Sequence, residues 1–183
     1  HQRVYDPVIQ ALCGFCDIQA DQETGRPRMV RTIVPDKTTS VTAAQAITAA
    51  LFARERTGKG QHIQIAMRDA MLNYCRTPMS RQAARDDIMP RGGNGVSGTA
   101  PGGLYPCKPG GLDDYAYIFC SRGNEEHWKR LCKVIGREDL ADDPRMASGD
   151  LRFEHKDEVD QAITDWTMQH TKTEVMEAVA GEK

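Results

Sequence analysis

Between residues 91 and 103 the chain reads RGGNGVSGTAPGG, with six glycines in thirteen positions. Glycine brings no side chain to bury and loses the most backbone freedom on ordering, so a run this dense does not predict a regular element. The chain on either side must then bury its own apolar residues. The expected organisation is an α/β portion over residues 1–90, a glycine-rich loop over 91–103 and a smaller α+β portion over 104–183. Neither portion has much to bury, because Leu, Ile, Val and Phe make up only 32 of 183 residues. Much of the apolar content is carried instead by 19 alanines and eight methionines. Closely packed helices around a thin core follow, and with them a missing partner surface.

Ahead of the glycine run, DPVIQALCGFC places Pro7 at an early helical position, and Val8, Ile9, Leu12 and Phe15 recur at helical spacing. Gly25, Pro27 and Pro35 then predict an exposed excursion that returns through Ile33 and Val34. Ser40 is the expected cap of a long helix whose Ala43, Ile47, Ala50, Leu51 and Arg54 share a stripe, with Gly58 as its stop. Ile63 and Ile65 alternate with His62 and Gln64, the period of a half-buried strand. Met67, Met71 and Cys75, four apart, predict a further helix with a bend at Pro78.

Beyond the glycine run, LYPCK and YAYIFC flank the turn-rich PGGLDD and predict a small antiparallel pair. Asn124 is placed to cap a helix containing Trp128, Leu131, Cys132 and Ile135. Val159, Ile163 and Trp166 mark another helix, and Val175, Met176 and Val179 a third.

Several classes of function are disfavoured. With 24 basic and 26 acidic residues and net charge −2 the chain carries no nucleic-acid arm. Arg54, Arg56 and Lys59 read as complements to a helix C-terminus. No apolar run approaches membrane-spanning length and HQRVYDPV is no signal-peptide core, so a cytoplasmic protein without membrane or nucleic-acid partners is expected. Six scattered cysteines predict reduced thiols. Cys13 and Cys16 have the spacing of a redox pair or half a zinc site, but nothing completes four ligands, and two small core side chains is the preferred reading. The histidines show no ligand spacing, and no metal is assigned.

Asp36 lies between the apolar Ile33-Val34 run and a polar TTS segment, next to a helix N-terminus whose dipole favours its ionised form. It reads either as a carboxylate available as a nucleophile or as a turn residue after Pro35. The glycine run reads either as a backbone cradle for phosphate or as a link between domains.

The segments YDPVIQALCGF, GRPR, PDKTT and TAAQAITAALFARERTGKGQHIQIAMRDAMLN, in order across residues 3–75, resemble the middle of the class III CoA-transferases, the CaiB/BaiF family. The resemblance continues through RGGN, YAYIFC and DDPRM. It implies a partial family III fold, helix-rich with short strands and a small antiparallel sheet domain. It also implies transfer of CoA between carboxylic acids through covalent intermediates on an aspartate, which matches Asp36. Acyl-CoA and a small carboxylic acid would be the substrates and no cofactor would be bound. Tyr5 matches a position near the substrate, and Gly95 and Gly98 fall in the segment that resembles the family's mobile cover over the aspartate. Arg3 and Asp6 flank Tyr5. Where the related α-methylacyl-CoA racemases carry a histidine, Tyr5 offers a phenol with pKa near ~10, a poor base, so transferase is favoured over racemase. Family members are interlocked homodimers of longer chains, so this one is expected to be a truncated representative whose activity in isolation is doubtful. A homodimer is expected, and a catalytically inactive interaction module is the alternative.

Overall fold

The structure is a computed structural model that describes residues 4–21, 23–86, 88, 91–96 and 98–181. They fall into two compact units, residues 1–93 and 94–183.

In the first unit, α1 (Asp6–Leu12) and α2 (Phe15–Ile18) are separated by Cys13 and Gly14, so the expected single helix is broken after two turns. The long helix α3 (Val34–Thr57) has 24 residues and begins six positions before Ser40. Ser40 is therefore not its cap. Pro35 does not break the helix because it stands in the first turn, where a missing N–H costs nothing. The threonines of the first turns satisfy their hydroxyls on the helix itself: Thr39 and Thr42 donate to the carbonyls four residues back, Pro35 and Thr38, at 2.7 and 2.8 Å. At the other end Gly58 has φ +69 and returns its N–H to the Arg54 carbonyl at 2.8 Å, the left-handed stop that a side chain would strain.

The expected strand around Ile63 and Ile65 has no hydrogen-bonded partner among the described residues, although its burial alternates with period two. Side-chain alternation can be set by one packed face, whereas a strand also needs a neighbouring backbone, and here none is supplied. Helices α4 (Met67–Leu72) and α5 (Arg76–Arg85) follow, separated by a turn just ahead of Pro78. The core of this unit is small: Ile9, Cys13 and Met71, with Val34, Met67 and Leu72 packed against them. Of the whole of α3 only Pro35 is buried.

The second unit carries the small sheet. Strands β1 (Gly102–Pro106) and β2 (Tyr115–Phe119) pair antiparallel, with Leu104 opposite Tyr117. Two residues of the glycine run, Gly102 and Gly103, thus belong to a strand, because β2 supplies the partner that the run could not supply to itself. Helix α6 (Glu125–Val134) starts where Asn124 accepts from the Glu126 N–H at 3.1 Å. Then come α7 (Glu138–Asp142), a 3₁₀ turn (Pro144–Met146), α8 (Gly149–Glu154), α9 (Lys156–Thr167) and α10 (Lys172–Gly181). Trp128, Leu131, Cys132, Val159 and Ile163 form a continuous core with Tyr105 and Ile118 of the sheet. Thr167 donates to the Pro106 carbonyl at 2.7 Å and Tyr105 to Asp160 at 2.6 Å, so α9 is fastened to β1 by polar contacts as well as packing. The fold is helix-rich with one small antiparallel sheet, and among the described residues no helix is long and apolar enough to cross a membrane.

Candidate functional site

The first unit builds its polar centre from α1. Asp6 and Gln10 stand four apart, on one helical face, and are 6% and 2% exposed. Burying an amide and a carboxylate together is costly unless each finds partners, and both do. Gln10 Nε2 donates to Asp6 Oδ1 at 2.7 Å and reaches the Val30 and Thr32 carbonyls at 3.2 and 3.4 Å. Gln10 Oε1 accepts from the Val30 N–H at 3.1 Å. One side chain thereby serves the incoming segment as a backbone neighbour would, and holds it against α1.

The second oxygen of Asp6 accepts from the backbone N–H of Asp36 at 3.3 Å. Asp36 is the third residue of α3, and its N–H is one of the four at a helix start that lack an intrahelical acceptor. Ile33, at the cap position, has no side-chain oxygen to offer, so Asp6 caps α3 from another helix. The Asp36 carboxylate itself is exposed at the positive end of the helix dipole. Among the described residues no hydrogen bond or ion pair engages it. A groove beside these first turns is lined by Lys37, Thr38, Val41, Gln45, Asn73 and Tyr74, without Asp36.

Tyr5 precedes Asp6 and begins α1: its carbonyl accepts from Val8 and Ile9 N–H groups at 3.0 and 3.1 Å, while the residue is 78% exposed. Asp6 thus brings Tyr5 and Asp36 to one locality. Arg3 lies outside the described residues. Gly95 and Gly98 belong to the second unit. Gly98 has φ +73, and the segment around it is closed by Val96 N–H to Gly102 O at 3.0 Å and Thr99 N–H to Val96 O at 3.2 Å.

All six cysteines are free and buried. Cys13 donates to the Gln10 carbonyl at 3.6 Å, within the last turn of α1, and Cys75, at the start of α5, donates to the Cys13 carbonyl at 3.3 Å, which ties the end of α1 to the start of α5. Burial, with Cys13 nearby, pushes the Cys16 thiol up. Among the described residues no three His, Cys, Asp or Glu side chains are grouped to hold a metal ion.

The roles of Asp6 and Gln10 had no counterpart in the sequence reading beyond the placement of Asp6 next to Tyr5. The available signal was two polar residues four apart on a helix whose next positions on that face, Ile9 and Cys13, are apolar. The same holds for Arg152, an arginine with no exposed surface in the second unit.

The sequence of residues 1–183 matches the family model described as CoA-transferase family III. Among curated proteins it is similar to the formyl-CoA:oxalate CoA-transferase of Streptomyces avermitilis, at 34% identity over 96% of this chain and 45% of the relative. The protein of the same description from Streptomyces coelicolor is 33% identical over the same shares. Among solved structures the chain is similar to a CAIB/BAIF family protein from Brucella suis, with a TM-score of 0.76, 26% identity, and coverage of 98% of this chain and 46% of that one. The chain therefore spans a little under half the length of the relatives it matches.

Proposed function

Because the chain belongs to CoA-transferase family III, we propose that it carries the nucleophile-bearing portion of an enzyme that moves CoA between small carboxylic acids, with Asp36 as the nucleophile. The observation that supports this reading is the pairing of Asp6 with the Asp36 backbone. It fixes the first turn of a 24-residue helix and leaves the Asp36 carboxylate uncommitted.

In the proposed reaction an Asp36 oxygen attacks the thioester carbonyl of acyl-CoA. The C–S bond breaks, CoA leaves as thiolate, and an acyl-aspartyl anhydride remains. The thiolate attacks the aspartyl carbonyl, releasing the donor carboxylate and leaving an aspartyl-CoA thioester. The acceptor carboxylate attacks that thioester to give a new anhydride and thiolate, which then takes the acceptor acyl group and restores Asp36. Every intermediate keeps its acyl group activated, so water has to be kept away from it. Asp36 is exposed in this chain, and we assign Gly95 and Gly98 to contact with the substrate. Tyr5, as a phenol, is placed to line the substrate and not to act as a base. The names of the relatives point to formyl-CoA and oxalate as the first pair of substrates to try.

Incubation with formyl-CoA and oxalate, quenching in hydroxylamine, and mass spectrometry of the Asp36 peptide test the proposal. Conversion of Asp36 to its hydroxamate, absent in Asp36→Asn, is the expected result. An unmodified Asp36 peptide would leave the chain as a non-catalytic interaction module of the same family.

A further inference from the structure

The second unit holds the end of the glycine segment with two arginines of opposite character. Arg152, on α8, has no exposed surface. Its Nε donates to the Ala100 carbonyl at 3.2 Å, and its Nη1 donates to the Met146 carbonyl at 2.9 Å and to Glu125 Oε2 at 2.6 Å. Its guanidinium carbon lies 5.2 Å from the centre of the Trp128 ring. Thr99 and Ala100 are buried beneath these contacts, and the next carbonyl, that of Pro101, accepts from the Cys120 N–H at 3.1 Å. This end of the segment is part of the core.

Arg122 approaches the same segment from the surface. A Cβ on Gly98 would lie 3.3 Å from Arg122 Nη1, and a Cβ on Gly149 would lie 3.1 Å from its Cγ. The arginine therefore runs between two residues that lack a side chain where it passes, its stem on Gly149 and its head on Gly98. Asp150, the residue after Gly149, holds that head in an ion pair in which both side chains are solvent-exposed. Gly98, Arg122 and the Gly149–Asp150 pair thus come from three separate stretches of chain.

We propose that these arginines are positioning residues for the glycine segment: Arg152 a permanent anchor at Ala100, and Arg122 a releasable latch at Gly98. The difference follows from solvent. Arg152 is buried and two of its contacts are buried bonds to uncharged backbone carbonyls, so salt loosens it little even though its carboxylate partner Glu125 is partly exposed. The Arg122–Asp150 pair is screened, so salt weakens it and frees the Gly98 side of the segment while Ala100 stays fixed. As a statement about catalysis this rests on the CoA-transfer reading, in which Gly95 and Gly98 meet substrate. As a statement about the segment it does not.

Hydrogen exchange read by mass spectrometry on the intact chain tests it, with the hydrogen-bonded amides of Val96 and Thr99 as reporters and α9 as the internal reference. In the parent protein these two amides exchange about two- to fivefold faster at high salt than at low salt, the range set by a weak exposed pair. Arg122→Ala and Asp150→Asn exchange at low salt as the parent does at high salt and lose the salt dependence, Arg122→Lys restores it, and α9 is unaltered throughout. Arg152→Lys, chosen to keep the charge and the fold, speeds exchange at the Cys120 amide at every salt concentration. Unchanged Val96 and Thr99 exchange in Arg122→Ala, or an equal salt response in that variant, would overturn the latch. A Cys120 amide insensitive to Arg152→Lys would overturn the anchor. Hydroxylamine trapping at Asp36 reads the chemistry and exchange reads the segment, so either can fail alone.

Discussion

The buried carboxylate of Asp6 accepts from the backbone N–H of Asp36, 30 residues away in sequence, at 3.3 Å. Two acidic residues meet, but one offers its side chain and the other its main chain. The side chain of the first is spent on structure, and the side chain of the second is left exposed. The two should therefore respond oppositely to substitution. Asp6→Ala strips acceptors from the Asp36 N–H and from Gln10, a loss of about 1–3 kcal/mol for a buried polar group. Asp36→Asn removes an exposed charge that the α3 dipole favours and should cost only about 0.3–1 kcal/mol, while, on the proposed mechanism, abolishing the hydroxylamine adduct. Far-UV circular dichroism during urea unfolding, which reads the helices of both units, set beside tryptophan fluorescence, which reads the second unit alone, checks the first expectation. Equal stability losses in the two variants would contradict it.

Gly58 and Gly60 make a clean pair. A Cβ on either would meet nothing within 4 Å, but only Gly58 has a positive φ, +69. Gly58→Ala should cost about 1 kcal/mol through backbone strain alone, and Gly60→Ala should be neutral or slightly stabilising. Thermal melts of the two variants, side by side, decide this.

Asn124→Ala removes the side-chain acceptor from the start of α6 and should cost about 1 kcal/mol. Both tryptophans, Trp128 and Trp166, lie in the second unit, so fluorescence-monitored unfolding reads this loss without interference from the first.

Burial pushes the Cys120 thiol up to about 11 and Cys132 up to about 12, against an ordinary value of 9.0. A thiol whose folded-state pKa is raised stabilises fully while it is protonated in both states, below pH 9.0. Above that the unfolded chain loses its proton first, and stability falls until the folded thiols titrate. The urea midpoint of the second unit should therefore decline from pH 9 through pH 11, and the decline should be shallower in Cys120→Ala. Alkylation by iodoacetamide at pH 8 should be slow at both thiols until denaturant is added.

Local chemistry made much of the second unit legible. Asn124 as a cap, the alternating YAYIFC strand and the stripes of α6, α9 and α10 are decided by residues within a few positions of one another, and each stands where it was expected. The family resemblance, too, lay in contiguous segments. Where local signals misled, they concerned groups that need a distant partner. Ser40 has the chemistry of a cap, yet α3 starts six residues earlier, because Pro35 tolerates a first turn and Asp6 supplies the acceptor from α1. Ile63 and Ile65 alternate like a strand but, among the described residues, have no backbone hydrogen-bonded beside them to complete one. Gly102 and Gly103 look like loop until β2 pairs with them.

The candidate site divides along the same line. The setting of the Asp36 carboxylate, beside a helix start, is a property of residues 33–40 and is written in their order. That the residue after Tyr5 caps the helix of Asp36, and that Arg122 lies between Gly98 and Gly149, were decided only when the chain folded. Hydrogen bonds and ion pairs join atoms close in space, and sequence spacing records closeness only within a single element.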